Sequence, residues 1–115
     1  MSLFEQGQVV RVPFPYTDRD KRQFRPALVV SDGAIGDNQS LLWVAMITSA
    51  ENRAWANDCE IKDYRAAKLP IPSVVRPTKI TTVEVADAQV VGRVDADVLG
   101  RVLKAITRSL GLIAA

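Results

Sequence analysis

Three observations predict a mostly β fold, a small curled antiparallel barrel of five to seven short strands closed by one C-terminal helix. Short apolar segments alternate with turn residues along most of the chain, the hydrophobic period becomes helical only near the end, and 115 residues suit one domain with one core. A single helix cannot cover both faces of a parallel sheet, which excludes a doubly wound fold. We therefore treat residues 1–115 as a single domain.

The first two strands are predicted on either side of the most polar loop in the chain. The first strand is expected at "GQVVRVPF", where Val10 and Val12 share one face and Pro13 indicates a position near a sheet edge. The loop "PYTDRDKRQF" follows, and the second strand is expected at "RPALVVS". This pattern is typical of two strands joined by an exposed connection.

Three further strands are predicted in the middle of the chain. The run "LLWVAMITS" has strand length, and alternation places Trp43 in the core. A shorter strand is expected around "DCEIK", and a β-branched strand at "PSVVRPTKITTVEV". Pro77 lacks an N–H, so it marks a bend or an edge position in that last strand.

The end of the chain predicts one amphipathic helix. Asp95 is a suitable N-cap and Gly111 a suitable residue just past the C-terminus. Gly100 inside the helix costs about 1 kcal/mol relative to alanine unless packing requires it. The apolar face, which is expected to pack on the barrel, comprises Val98, Leu99, Val102, Leu103, Ile106 and Leu110, with Arg101, Lys104 and Arg108 opposite.

Composition limits the function that the chain can perform. A net charge of +2 is too mild for salt-driven binding along a duplex, so any nucleic-acid site must be local. The chain has no histidine, no carboxylate pattern of a metal site, and the single cysteine Cys59, which is expected to be a small buried apolar residue. We expect neither metal nor cofactor. No signal or membrane-spanning stretch is evident, which predicts a cytoplasmic protein.

Five separated segments occur in the order of one known family: "GQVVRVPFPYTD", "RPALVVS", "MITS", "PSVVRPTKI", and "VGRV" before a helix ending in "SLGL". From Gly7 to Leu112 the chain resembles the MazF/PemK family of toxin endoribonucleases. The resemblance implies an SH3-like barrel, a homodimer, and metal-independent, sequence-specific cleavage of single-stranded RNA within a type II toxin–antitoxin system. Attack by the RNA's own 2′-OH would leave a 2′,3′-cyclic phosphate.

The resemblance also implies which side chains act on RNA. Arg25, directly before a proline, matches the catalytic arginine, and Thr48 in "ITS" matches the active-site hydroxyl. Arginine suits this role because its planar guanidinium binds phosphate bidentately and carries a fixed charge that stabilises developing negative charge. Phe24 is a candidate for base stacking beside Tyr16. The residues expected to bind RNA are Tyr16, Lys21, Arg22, Ser49, Arg76 and Lys79.

The residues themselves leave other interpretations open at each of these positions. Arg25 could form a surface ion pair with Asp18 or Asp20, and Thr48 could simply end a strand. Trp55 could cover a loop. In each of these alternatives the side chain stabilises the fold and does not contact RNA.

The second basic segment is ambiguous in the same way. Arg76 and Lys79 could lie on a solvated strand edge. Thr78 stands where family members often carry an acidic residue, so the sequence leaves the proton acceptor of the reaction unassigned.

Two rival functions remain at this stage. One is a non-enzymatic gyrase poison of the CcdB type, which shares the barrel but ends its helix with a tryptophan and a short tail, whereas this chain ends "GLIAA". The other is a barrel that binds RNA or a protein without cutting. The expected partners are single-stranded RNA, a second copy of the chain, and an acidic antitoxin protein, since a surface that binds phosphates also attracts carboxylates. No membrane is expected.

Overall fold

The computed structural model describes residues 3–13, 23–52 and 54–113, and it places six strands and one α-helix in them. All neighbouring strands are antiparallel, and the sheet curls into a half-barrel. The predicted mostly β fold with a C-terminal helix is therefore confirmed. The elements are β1 (Gln8–Pro13), β2 (Phe24–Val29), β3 (Leu41–Ser49), β4 (Cys59–Ile61), β5 (Ser73–Glu84), β6 (Gln89–Arg93) and α1 (Ala96–Ser109), and the strand order is β4-β5-β3-β2-β1-β6.

The central strands β2 and β3 are apolar on both sides because both faces of the sheet are covered. On the side of α1, here called the helix face, Leu28 and Ile47 pack with Val98 and Val102 of the helix. Each such buried side chain stabilises the fold by roughly 1.5–3 kcal/mol. The opposite face has its own cluster, made of Val10, Val12, Ala27, Val29, Leu42, Val44 and Val83.

An irregularity divides the long strand β5 into two parts. Ala45 of β3 lies opposite Ile80, but the next residue, Met46, lies opposite Arg76, so residues 77–79 of β5 have no partner in β3. Pro77 is among them, and a proline has no N–H for a ladder hydrogen bond. The predicted bend at Pro77 is confirmed as a bulge in β5 that lies just beyond Val75, where the pairing of β5 with β4 ends.

The helix begins and ends where the sequence predicts. The Asp95 side chain accepts a hydrogen bond from the backbone N–H of Val98 at 2.9 Å, as an N-cap does. Gly111 has a φ of 75°, the left-handed conformation at which glycine commonly ends a helix. The expectation that Leu110 packs on the sheet is wrong, since α1 ends at Ser109 and Leu110 is 67% exposed.

The expectation that Trp43 lies in the core is also wrong. Trp43 is two and four residues from Ala45 and Ile47 along β3, so its side chain projects to the same helix face. It is nevertheless 52% exposed. Trp43 lies outside the buried cluster of that face, which contains Ala45 and Ile47 together with Val98 and Val102 of α1. Cys59, in contrast, is buried as predicted. Within the residues that the structure describes, no helix has the length and apolarity needed to span a bilayer.

Candidate functional site

Arg25 and Thr48 lie on neighbouring strands, each two residues beyond the last pair of the β2–β3 ladder. β2 and β3 pair with Ala27 opposite Met46, and the same register two residues further along places Arg25 opposite Thr48. Directly opposed residues of an antiparallel pair have Cα atoms roughly 4.5–5.5 Å apart and project to the same face. That face is the one opposite the helix face. The pairing thus brings together the two residues expected to be catalytic, whose roles stay predictions.

Pro26 restricts the backbone of Arg25, the second residue of β2. A residue before proline is restricted to extended backbone, so Arg25 is held in strand conformation. The chain continues into Ala27 and Leu28, which are fully buried and anchor the strand. The backbone of Arg25 is therefore held in extended conformation at the start of β2, and its side chain is half-buried.

The guanidinium of Arg25 has a neutral neighbour in the described part of the chain. Its Nη2 donates a hydrogen bond to Oε1 of Gln23 at 3.1 Å. The acidic partners considered from the sequence, Asp18 and Asp20, lie outside the described residues. Phe24 is 50% exposed, with the Arg11 guanidinium 5.9 Å from its ring centre. An exposed aromatic ring at this position keeps base stacking by Phe24 open as a prediction.

The hydroxyl of Thr48 is buried but hydrogen-bonded in a way that leaves it able to donate. Thr48 is 7% exposed, and its Oγ1 accepts a hydrogen bond from Nδ2 of Asn52 at 2.5 Å. A hydroxyl that accepts from an amide still carries its own hydrogen for a phosphate oxygen. The neighbouring Ser49 accepts through Oγ from the N–H of Glu51 at 3.2 Å. Both hydroxyls therefore also order the start of the loop after β3.

Arg76 is placed differently from the solvated strand edge considered from the sequence. It is 7% exposed, its Nε donates to the carboxylate of Asp58 at 3.3 and 3.4 Å, and its guanidinium carbon lies 4.5 Å from the ring centre of Trp55. The Asp58 carboxylate also accepts a hydrogen bond from the backbone N–H of Trp55 at 2.9 Å. Arg76 lies opposite Met46, on the same face as Thr48. Its proposed contact with RNA stays a prediction, and its visible role is to hold the loop before β4.

A shallow hollow lies beside Trp55. It has a volume of about 380 Å³, and its walls are formed by residues 54–57 and by Thr78 of the β5 bulge. Lys79, the next bulge residue, places its Nζ 5.6 Å from the Trp55 ring centre. The bulge therefore turns a threonine and a lysine toward the loop that follows β3. Nothing in the sequence indicated that Trp55 and Asp58 belong to this group, since 18 residues separate Asp58 from Arg76.

Two carboxylates of the described residues, Asp58 and Glu60, lie on the same side of the sheet as Thr48, and neither is placed to act as a base. Asp58 is bound to Arg76, and Glu60 is exposed on the same face as Thr48. Glu60 lies opposite Val74, which in turn lies opposite Thr48, so two strand spacings separate them. At roughly 4.8 Å per spacing, that separation is about 10 Å.

Three of the expected RNA-binding residues, Tyr16, Lys21 and Arg22, fall in the part of the first loop that lies outside the described residues. Across residues 3–13, 23–52 and 54–113, no three cysteine or carboxylate side chains converge closely enough to hold a metal ion. The site as described consists of two halves. One is the Arg25–Thr48 pair, and the other is the Trp55 hollow with its buried ion pair.

The comparison with protein families identifies the class of protein. Residues 5–110 match the profile described as PemK-like, MazF-like toxin of type II toxin-antitoxin system. Because the match spans nearly all of the 115 residues, the chain belongs to this toxin family, which confirms the resemblance seen in the sequence. No sequence among the curated proteins is significantly similar to the chain.

Solved structures of similar fold agree with this assignment. A MazE–MazF complex from Deinococcus radiodurans (Form-III) has a TM-score of 0.76 and 22% identity, with 95% of this chain and 97% of that chain covered. MazF of the same organism in Form-I has a TM-score of 0.72 and 24% identity, with 93% and 96% covered. An endoribonuclease in complex with its cognate antitoxin from a Mycobacterial species has a TM-score of 0.72 and 19% identity, with both chains fully covered.

Proposed function

We propose that this toxin is a metal-independent, sequence-specific endoribonuclease that cleaves single-stranded RNA. The proposal rests on the register of β2 and β3, which, continued two residues beyond Ala27 and Met46, places Arg25 opposite Thr48 on one face of the sheet. A guanidinium and a hydroxyl at that spacing can both donate hydrogen bonds to the oxygens of one phosphodiester group. The solved endoribonuclease from a Mycobacterial species, similar in fold, is in keeping with this activity.

In the proposed reaction the RNA supplies its own nucleophile. The 2′-oxygen attacks the adjacent phosphorus, the bond from phosphorus to the 5′-oxygen breaks, and the products are a 2′,3′-cyclic phosphate and a 5′-hydroxyl. The 2′-OH loses a proton and the 5′-oxygen gains one, so the step is balanced without a co-reactant. DNA lacks the 2′-OH and is not a substrate.

Arg25 stabilises the transition state in this scheme. As the 2′-oxygen attacks, negative charge grows on the two non-bridging phosphoryl oxygens, and the guanidinium donates two parallel hydrogen bonds to them. Thr48 donates its hydroxyl hydrogen to one of the same oxygens while its Oγ1 is held by Asn52. Because Asp58 is bound to Arg76, we assign the proton from the 2′-OH to solvent water.

We propose two protein partners in addition to RNA. Exposed apolar side chains, among them Leu110 and Leu112 at 67% and 71% exposure, support a symmetric homodimer. The solved MazE–MazF complexes support an acidic antitoxin bound along the RNA groove. Light scattering tests whether the protein is a dimer. Competition between RNA and an Asp/Glu-rich peptide tests whether an acidic partner binds in the RNA groove. Action on cellular RNA would place the protein in the cytoplasm.

The decisive experiment incubates the purified protein with labelled single-stranded RNA, with the all-DNA strand of the same sequence, and with RNA plus EDTA. We expect cleavage of RNA at a short sequence, equal rates with and without EDTA, and fragments that end in a 2′,3′-cyclic phosphate. Cleavage of DNA or loss of activity in EDTA contradicts the proposed chemistry. An intact RNA that nevertheless stays bound supports the non-cleaving alternative.

A further inference from the structure

We propose that Trp55 is a stacking platform for one unpaired base of the RNA substrate, an inference that rests on the proposed function. Trp55 follows the strand that carries Thr48, and it is half-buried beside the hollow that it lines with Thr78. Aromatic rings bind single-stranded nucleic acid because every base has a π-face. The platform would hold a base of the same strand whose phosphate is contacted by Arg25.

The indole of Trp55 is held in place before RNA arrives. The backbone N–H of Trp55 donates to the Asp58 carboxylate at 2.9 Å, and the Arg76 guanidinium lies 4.5 Å from the centre of the indole ring. Arg76 is itself fixed by the Asp58 carboxylate at 3.3 Å. A side chain that is already ordered loses little conformational freedom on binding, so more of the stacking energy appears as affinity.

The hollow beside the ring has the size and chemistry for a base. Its volume of about 380 Å³ falls in the range of small-molecule sites, roughly 300–1,000 Å³. Ala54 and Ala56 are small, so they leave room beside the indole. Asn57 and Thr78 complete the lining and bring an amide and a hydroxyl, which can donate to and accept from the edge of a base.

The charges around Trp55 favour the negatively charged RNA backbone. The carboxylate of Asp58 is paired with Arg76, which limits its repulsion of a phosphate. Lys79, 5.6 Å from the ring centre, adds a positive charge at the hollow. Arg76 also lies opposite Met46, two residues from Thr48 on the same face, which places the platform within a short stretch of strand from the Arg25–Thr48 pair.

The test measures binding without cleavage. Short single-stranded 2′-fluoro oligonucleotides, each of one base type, lack the 2′-OH nucleophile, and a strand of abasic residues has the backbone alone. In a Trp43→Phe background Trp55 is the single tryptophan, so its fluorescence reports on its own surroundings. We expect quenching by at least one base-bearing strand and none by the abasic strand.

Variants separate stacking from a structural role. Trp55→Ala is expected to weaken binding of the base-bearing strand roughly five- to hundred-fold and to leave the abasic strand unchanged, because stacking on one base is lost. Trp55→Phe keeps a ring and should recover part of the affinity. The matched control is Trp43→Ala, since Trp43 is exposed on the helix face, away from Thr48, and its loss should leave binding unchanged.

Three outcomes overturn the platform: no quenching of Trp55, unchanged affinity in Trp55→Ala, or an equal loss for base-bearing and abasic strands. The result also separates this inference from the proposed function. If the wild-type protein cleaves RNA but Trp55 shows no quenching, the platform is wrong and the cleavage stands. If base-specific quenching occurs and RNA stays intact, the platform is supported and the proposed cleavage is wrong.

Discussion

The carboxylate of Asp58 and the guanidinium of Arg76 form an ion pair of 3.3 Å whose side chains are 10% and 8% exposed. Asp58 directly precedes β4, while Arg76 lies opposite Met46 at the start of the β5 bulge. The pair therefore joins the connection before β4 to the strand beside Thr48. Because water has little access to either group, removing one partner leaves the other charge poorly solvated.

We predict that Asp58→Asn destabilises the protein by about 3–5 kcal/mol, since the buried Arg76 guanidinium loses the charged carboxylate to which its Nε donates. The free energy of unfolding in urea measures this loss. The matched control is Glu5→Gln, which removes the carboxylate of the Glu5–Arg93 pair, where the side chains are 67% and 50% exposed. An exposed pair contributes about 0–1 kcal/mol, so equal losses in the two variants would contradict the prediction.

The strands and the helix could be predicted because each depends on a pattern within a few residues. Period-2 alternation gives β1, and a helical period bounded by Asp95 and Gly111 gives α1. These signals require no knowledge of which strand pairs with which. The resemblance to the toxin family then supplied the expectation about Arg25 and Thr48, and the register of β2 and β3 brings these residues together.

The surroundings of Arg76 and Trp43 could not be predicted in the same way. Burial of Arg76 depends on Asp58, a residue 18 positions away, and on the bulge that turns β5. Alternation correctly gives the face on which Trp43 lies, but not whether the buried cluster of that face includes it. Both errors concern tertiary contacts between distant segments, about which local periodicity carries no information.

Gly92 approaches another part of the backbone too closely for a side chain. A Cβ at this position would lie 2.2 Å from the carbonyl oxygen of Ala67, so Gly92→Ala must move β6 or the turn that contains Ala67. We expect a loss of about 1–3 kcal/mol, as for other overpacked sites. Thermal unfolding measures this loss of stability. An unchanged melting temperature in Gly92→Ala would show that the turn can move without an energetic cost.

Gly100 gives the opposite result for the same substitution. An added Cβ there meets nothing within 4 Å, and the residue lies inside α1, where alanine is favoured over glycine. Gly100→Ala is therefore expected to stabilise the protein by about 1 kcal/mol. Urea unfolding tests this, and a destabilised variant would mean that the helix needs glycine for a contact made outside the single chain.

Cys59 makes stability depend on pH in the alkaline range. Burial raises the pKa of its thiol, with Arg101 lowering it in part and Asp58 raising it. The unfolded thiol ionises near pH 8.5, while the folded one stays protonated to higher pH, so rising pH favours the unfolded state. The stability of the wild type relative to Cys59→Val should be constant below about pH 8.5 and fall above it. A flat difference up to pH 10 would contradict the raised pKa.

Substitution of Arg25 distinguishes a role in catalysis from a role in the stability of the fold. Arg25→Lys keeps a positive charge at the end of β2 but removes the planar fork that donates two hydrogen bonds to one phosphoryl group. We expect the single-turnover rate of RNA cleavage to fall by roughly two orders of magnitude, as it does when one preorganised donor is lost from a transition state. The melting temperature should barely change, because the one described side-chain hydrogen bond of Arg25 is to Gln23 and the guanidinium is only half-buried. A near-normal rate in Arg25→Lys, or a large loss of stability without a specific defect in rate, would mean that Arg25 serves the fold and that another residue stabilises the transition state.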